Sequence, residues 1–212
     1  MTDLEFSVIE ARADAYAAAP SLVLRLRIRE KSGVKVDAIA LRTQIRIEVQ
    51  RRRYGSEESV LLQELFGTPA RYGETLKPML WTHASQIVTA FENATEADLT
   101  IPCSYDFEVA AHKYLASLKD GIVPLQLLFS GMVFVEGPGG VTPEFVSWSC
   151  EARYGLPVAV WREALDAHFP NSAWIRVRRD TFDELRRFKN ATGLPTWDAV
   201  LERLCALAAV KP

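Results

Sequence analysis

The chain has 212 residues, 49% hydrophobic and 25% charged, which excludes a disordered or low-complexity protein and leaves room for one or two compact domains. Its 25 basic and 27 acidic side chains sum to −2, so the molecule as a whole is no general polyanion binder, although a local basic face stays open. Three cysteines form no closed disulfide set and no zinc framework, which fits a reducing compartment.

The opening Met1–Glu5 has neither a basic nor an apolar leader segment. The longest apolar run, Ile122–Val135, is broken by Pro124, Gln126, Ser130 and Gly131. A cytoplasmic protein away from the membrane is therefore expected. Leu4, Phe6 and Val8 alternate with their neighbours as a short strand. Leu22, Leu24, Leu26 and Ile28 then turn one way, with Val23, Arg25, Arg27 and Arg29 turned the other. The period of two returns from Ile39 to Gln50, with Arg42 and Arg46 on the polar side. Two strands with one oily and one charged face predict an antiparallel sheet with one solvated side. A short helix is expected over Glu57–Phe66, capped by Ser56, then an ordered apolar connection at Leu76–Trp81. Strands are expected at Ile87–Phe91 and Thr95–Ile101, the latter an edge.

A long amphipathic helix is predicted from Ser104 or Asp106 to Lys119, its apolar face built by Phe107, Ala110, Ala111, Tyr114, Leu115 and Leu118. A strand follows over Val123–Val135, with Gly131 as a bulge or bend, then a turn at Gly137–Gly140 and a returning strand at Phe145–Cys150. Beyond it come a helix over Ala159–Phe169 and a short strand at Trp174–Arg178. A helix opened by a Thr181/Glu184 capping box and closed by Gly193 follows, then a last helix after Pro195-Thr196. The fold class read from this order is α+β: an antiparallel sheet with one long packed helix over residues 1–150, and a mostly helical region, with a strand-helix-helix unit, over 151–212.

No catalytic motif emerges. Glu108 and His112 stand four apart on the predicted long helix, short of a metal site, and Cys103, Cys150 and Cys205 read as packing residues. Gly137–Gly140 opens no helix and is followed by no P-loop lysine. The expectation is a protein with no catalytic residues, no metal and no cofactor. Two features favour binding instead. Trp81, Tyr105, Tyr114, Phe129 and Phe134 are candidate client-binding aromatics around a cleft between sheet, helix and the Leu76–Trp81 connection. Arg51, Arg52, Arg53, Arg176 and Arg178 form a candidate basic docking surface.

Three resemblances follow. Trp174–Leu207, read as strand, helix, helix, resembles the ribbon-helix-helix pattern of small DNA-binding antitoxins and repressors. This implies strand-paired dimers with Arg176 and Arg178 toward DNA. Ser104–Leu118 followed by Gly121–Leu125 resembles SecB-type export chaperones, and the likeness extends over residues 4–135. The whole chain resembles an uncharacterised bacterial family, on Gln50-Arg51-Arg52-Arg53-Tyr54, Leu80-Trp81-Thr82-His83, Tyr105–Ala110 and Leu194–Asp198. Its members are often encoded near uptake NiFe hydrogenases, which implies an accessory role there. The expected function is a non-catalytic accessory or chaperone-like protein that forms a homo-oligomer and binds a protein client, such as a hydrogenase subunit. The alternative is a DNA-binding regulator.

Overall fold

The computed structural model describes residues 2–103, 110–137, 140–168, 170 and 177–209. The chain forms two compact units, residues 1–173 and 174–212. In the first, three strands form one antiparallel sheet: β1 (Leu4–Ala13) and β5 (Ala94–Pro102) flank β2 (Ser21–Glu30). A second antiparallel sheet has β3 (Val36–Ile47) between β4 (Met79–Phe91) and β6 (Ile122–Gly137). The long β6 carries β7 (Gly140–Phe145) along its distal half and β8 (Glu151–Pro157) along its proximal half.

The alternation read in the sequence has its cause here. Leu22, Leu24, Leu26 and Ile28 of β2 are fully buried, as are Ile39, Ile45 and Ile47 of β3, and all join one core. Phe6 of β1 stacks on Phe129 of β6 at 4.2 Å between ring centroids, so the two sheets meet face to face. The single sheet with one solvated side is thus corrected to two sheets. Periodicity shows that each strand hides one face without showing which sheet covers it. As a consequence, Arg25, Arg27 and Arg29 lie on the outer face of one sheet, and Arg42 and Arg46 on that of the other.

Short helices close the ends: α1 (Ser56–Leu61), α2 (Gln63–Phe66), α3 (Tyr72–Thr75) and α4 (Ala110–Ala116), with α5 (Val158–Asp166) packed on β1, β2 and β8. The predicted long helix is seven residues within the described part, ending at Ala116. Its predicted start lies outside the described residues. The helix expected from Glu57 is two, broken at Leu62. The strand that returns from β6 is Gly140–Phe145, ahead of the expected Phe145–Cys150. Residues 146–150 instead loop past Ser130-Gly131 before β8 resumes the edge. The boundary expected at 150 falls inside this sheet, because β8 pairs with β6 over seven residues.

Two backbone details fix the sandwich. Gly131 has φ 133°, and a Cβ there would sit 2.0 Å from the Ala40 carbonyl oxygen, so only glycine lets β6 approach β3 at this point. The β3 register runs through Gly131 without slippage, so it marks a close approach rather than a bulge. Glu30 is buried at the end of β2. Its carboxylate accepts from the backbone N–H of Asp3 (2.9 Å), Ser32 (3.1 Å), Gly33 (2.7 Å) and Val34 (3.0 Å) and from the Ser32 hydroxyl (2.5 Å). Burial opposes its ionisation, yet the bonds from Ser32, Asp3 and Val34 outweigh it and hold the carboxyl at about 2.

The second unit is a helical hairpin of α6 (Arg179–Thr192) and α7 (Trp197–Ala209). Gly193 adopts the left-handed cap expected of it, and Lys189 donates to the carbonyls of Leu194 (2.6 Å) and Pro195 (2.9 Å). Thr196 caps α7, accepting from Ala199 N–H at 3.1 Å. Phe182 meets Trp197 at 5.2 Å. The capping box at Thr181 and Glu184 does not open α6, which starts two residues earlier. The predicted strand at Trp174–Arg178 falls largely outside the described residues, and Val177 and Arg178 lie in no strand.

Candidate binding face

The five candidate aromatics do not form one surface. Tyr114 is fully buried, its hydroxyl 3.0 Å from that of Tyr54 and its ring edge-on to Tyr54 and Phe66. Phe129 is core through its stack on Phe6. Both are corrected from client contacts to packing residues: each lies on the inward face of its element, where an aromatic removes the most apolar area from water. Tyr105 lies outside the described residues. Trp81 is the extra residue of a β-bulge in β4, between Thr82, which pairs with Ile45, and Leu80, which pairs with Arg46. It lines a small cavity with Pro102, Cys103, Ala111, His112 and Trp161. That cavity measures about 60 Å³, room for a few waters and well below the roughly 300 Å³ a small-molecule site begins at. Among the described residues, this space between sheet, helix and the Leu76–Trp81 connection is too small for a peptide segment. Cys103 and His112 do share this cavity, but burial pushes the Cys103 thiol up to about 12, leaving it protonated and unreactive near neutrality.

The basic candidates divide as well. Arg52 is a structural clasp. It reaches buried Glu58 at 2.6 Å and donates to the carbonyls of Ile122 (3.0 Å) and Asp120 (2.8 Å). Glu58 in turn accepts from Lys119 N–H at 2.9 Å. Arg51 pairs with Glu48 at 3.2 Å, while Arg53 and Arg178 are exposed. Arg176 lies outside the described residues. A triple-arginine docking surface is thereby reduced to Arg53, because its neighbours are spent on carboxylates within the fold.

The outer faces of the two sheets contrast. On the first, Arg25 and Arg12 both bind Asp98, at 2.9 and 2.7 Å, and Arg27 binds Glu96 at 2.8 Å. Arg25 foremost, then Arg12, holds the Asp98 carboxyl below its usual range. Arg29 on the same face has no ion pair among the described residues but lies opposite Glu5 of β1, so each outward arginine of β2 has a carboxylate across from it.

The second sheet is different. Its register places Ile87, Ala40, Met132 and Phe145 side by side across β4, β3, β6 and β7. The next row is Thr89, Ala38, Phe134 and Pro143, followed by Val141 opposite Glu136. Ile87 is 69% exposed, Phe145 80% and Val141 61%. Of the five candidate aromatics, Phe134 belongs to this face. The other direction along β3 carries Arg42 between Ser85 and Ser130, then Gln44, then Arg46 between Leu80 and Gln126. Among the described residues neither Arg42 nor Arg46 has an ion pair, and the buried Arg46 Nε has no hydrogen-bond partner. One face thus runs from apolar to cationic along its central strand. Ile87, Met132 and Phe145 come from three separate stretches of the sequence, and they become neighbours only when β4, β3, β6 and β7 are aligned.

Among the described residues no group of three or more histidine, cysteine or carboxylate side chains is placed to hold a metal. No described helix is long and apolar enough to cross a membrane.

Three solved structures share weak likeness. A CARDB domain of the PF1109 protein from Pyrococcus furiosus, solved with di-metal ions, is 11% identical with a TM-score of 0.28, over 73% of this chain and 91% of that one. A beta-glucosidase from Kluyveromyces marxianus is 4% identical with a TM-score of 0.28, over 73% of this chain and 15% of its own length. Beta-glucosidase 3B from Thermotoga neapolitana, in complex with alpha-D-glucose, is 12% identical with a TM-score of 0.26, over 73% of this chain and 17% of its own. No curated protein matches the sequence. A family model does match, over residues 1–212: the chain belongs to a family of unknown function, DUF6084.

Proposed function

We propose that this protein is a non-catalytic binding module that captures a protein client on the outer face of its second sheet. One observation carries the reading. Ile87, Met132 and Phe145 stand exposed in one row on an ordered sheet, with Phe134, Pro143 and Val141 beside them. A contiguous apolar surface is costly to leave in water and marks an interaction site more often than scattered apolar residues do. The cavity beside Trp81 holds only a few waters and the Cys103 thiol lining it is pushed up by burial, so this exposed face supports binding better than that cavity supports chemistry. A hydrogenase subunit is the first client to try, on the family resemblance described above.

The test is suppression of aggregation of a chemically denatured protein, comparing the natural chain with Ile87→Ser/Met132→Ser/Phe145→Ser and with a control on the opposite sheet, Arg27→Ser. Loss of protection in the triple variant alone, with an unchanged circular dichroism spectrum, supports the assignment. Equal protection by all three proteins refutes it.

A further inference from the structure

The character of the client follows from the charge on the same face, so this step rests on the reading above. We infer that the second sheet takes an amphipathic segment of a partner protein in which apolar residues are continued by carboxylates, laid along β3. The apolar half sits on Ile87, Met132, Phe134 and Phe145, and the carboxylates pair with Arg42 and Arg46.

Three observations argue it. First, β3 offers Ala38 and Ala40 between bulkier Ile87 on one side and Met132 and Phe134 on the other. Strands are about 4.8 Å apart, so the flanking side chains stand roughly 10 Å from each other, wide enough to admit one row of side chains from an incoming segment. Second, Arg42 is two residues beyond Ala40 and Arg46 six, about 7 and 20 Å along the strand. A carboxylate following the apolar anchors falls within reach of each. Third, the contrast between the sheets is specific. The outward arginines Arg12, Arg25 and Arg27 of the first sheet are paired with Asp98 and Glu96 on β5 and Arg29 lies opposite Glu5 on β1, whereas Arg42 and Arg46 face serine, leucine and glutamine on their neighbouring strands. Glu151 of β8, opposite Leu128, is held by Gln126 and Arg153, so among the described residues Arg42 and Arg46 stay without an ion pair beside an apolar row and are complementary to an acidic, apolar partner. An anionic lipid surface shares the charge logic, but it favours protruding anchors ringed by cations. Here the central strand is flat with alanine, and the cations lie to one end.

The experiment is fluorescence anisotropy with a labelled peptide of about a dozen residues, alternating valine and serine and ending in glutamates. A matched peptide ending in lysines and vesicles containing phosphatidylglycerol are run beside it. The acidic peptide should bind at least ~10-fold tighter than the lysine peptide, and Arg42→Glu/Arg46→Glu should invert that preference with the fold unchanged. Inversion is a result that mere loss of structure cannot produce. No binding of the acidic peptide, or equal binding of both peptides, overturns the inference. If Ile87→Ser/Phe145→Ser weakens both peptides equally while the charge reversal does nothing, the face binds clients but does not select acidic ones. If neither variant matters, the face itself is not the site. Vesicle binding that exceeds peptide binding and is lost in the same variants assigns the face to lipid and overturns the inference as well.

Discussion

Replacing Glu30 with glutamine tests how the two sheets are joined. The Glu30 carboxylate gathers five donors at the turn between β2 and β3, and the one from Asp3 ties in the start of β1. A fall from 4.5 to about 2 on folding corresponds to ~3 kcal/mol, since each pKa unit is worth ~1.4 kcal/mol. Screening at this turn near the surface trims that to roughly 2 kcal/mol. The sign follows from the depressed folded value. The stabilisation is complete above the unfolded value near 4.5 and is lost as pH falls through the folded value near 2. Urea unfolding followed by circular dichroism should therefore show Glu30→Gln less stable by about 2 kcal/mol at pH 7. The gap should narrow by roughly half at pH 3, where the unfolded natural chain is already protonated at this position. A gap under ~0.5 kcal/mol at pH 7, or one that does not narrow between pH 5 and pH 3, would show that the Glu30 carboxylate does not clasp this turn.

Gly131→Ala should be among the most damaging single changes, costing ~3 kcal/mol or more, because the new methyl meets the Ala40 carbonyl oxygen and the positive φ is strained as well. A thermal melt within a few degrees of the natural chain would contradict it. Arg52→Ala should cost ~3–5 kcal/mol by leaving Glu58 buried without its partner, whereas Arg53→Ala should stay within ~0.5 kcal/mol; equal effects in denaturant titrations would show that Arg52 is no clasp. Phe129→Ala should cost ~3–5 kcal/mol and Phe134→Ala about 1 kcal/mol, which the same titrations distinguish. Cys205 should react with a thiol reagent at pH 8 while Cys103 stays unmodified until the protein unfolds, as mass mapping would show.

Much of the secondary structure is legible in the sequence because its signals are local. The alternation in β2 and β3, the helix stop at Gly193 and the start after Thr196 each depend on a few neighbouring residues. What is not legible depends on distant partners. Alternation in Leu22–Arg29 and Ile39–Gln50 says that each strand hides a face, but pairing decides that they belong to different sheets. The aromatics show the same limit: Phe129 and Phe134 lie in one strand at odd and even places, so one becomes core and the other surface only after the register is set. Trp81 turns inward because a bulge shifts β4 by one residue, and no turn residue announces it. Met79–Trp81, the start of β4, reads as the end of the Leu76–Trp81 connection because three consecutive apolar residues after Pro78 show no period of two. The Glu30 clasp does leave a trace, a glutamate followed by Ser32-Gly33, the pattern of a side chain that binds its own turn. The apolar row on the second sheet leaves none, since it draws single residues from four strands.

Hydrogen exchange measured by mass spectrometry, with and without the acidic amphipathic peptide, decides whether the outer face of the second sheet is the docking surface. Docking there slows exchange in segments 38–46, 83–89, 128–134 and 141–145, with no change in β1, β2 and β5. Protection confined to the first sheet, or spread evenly over both, would contradict it.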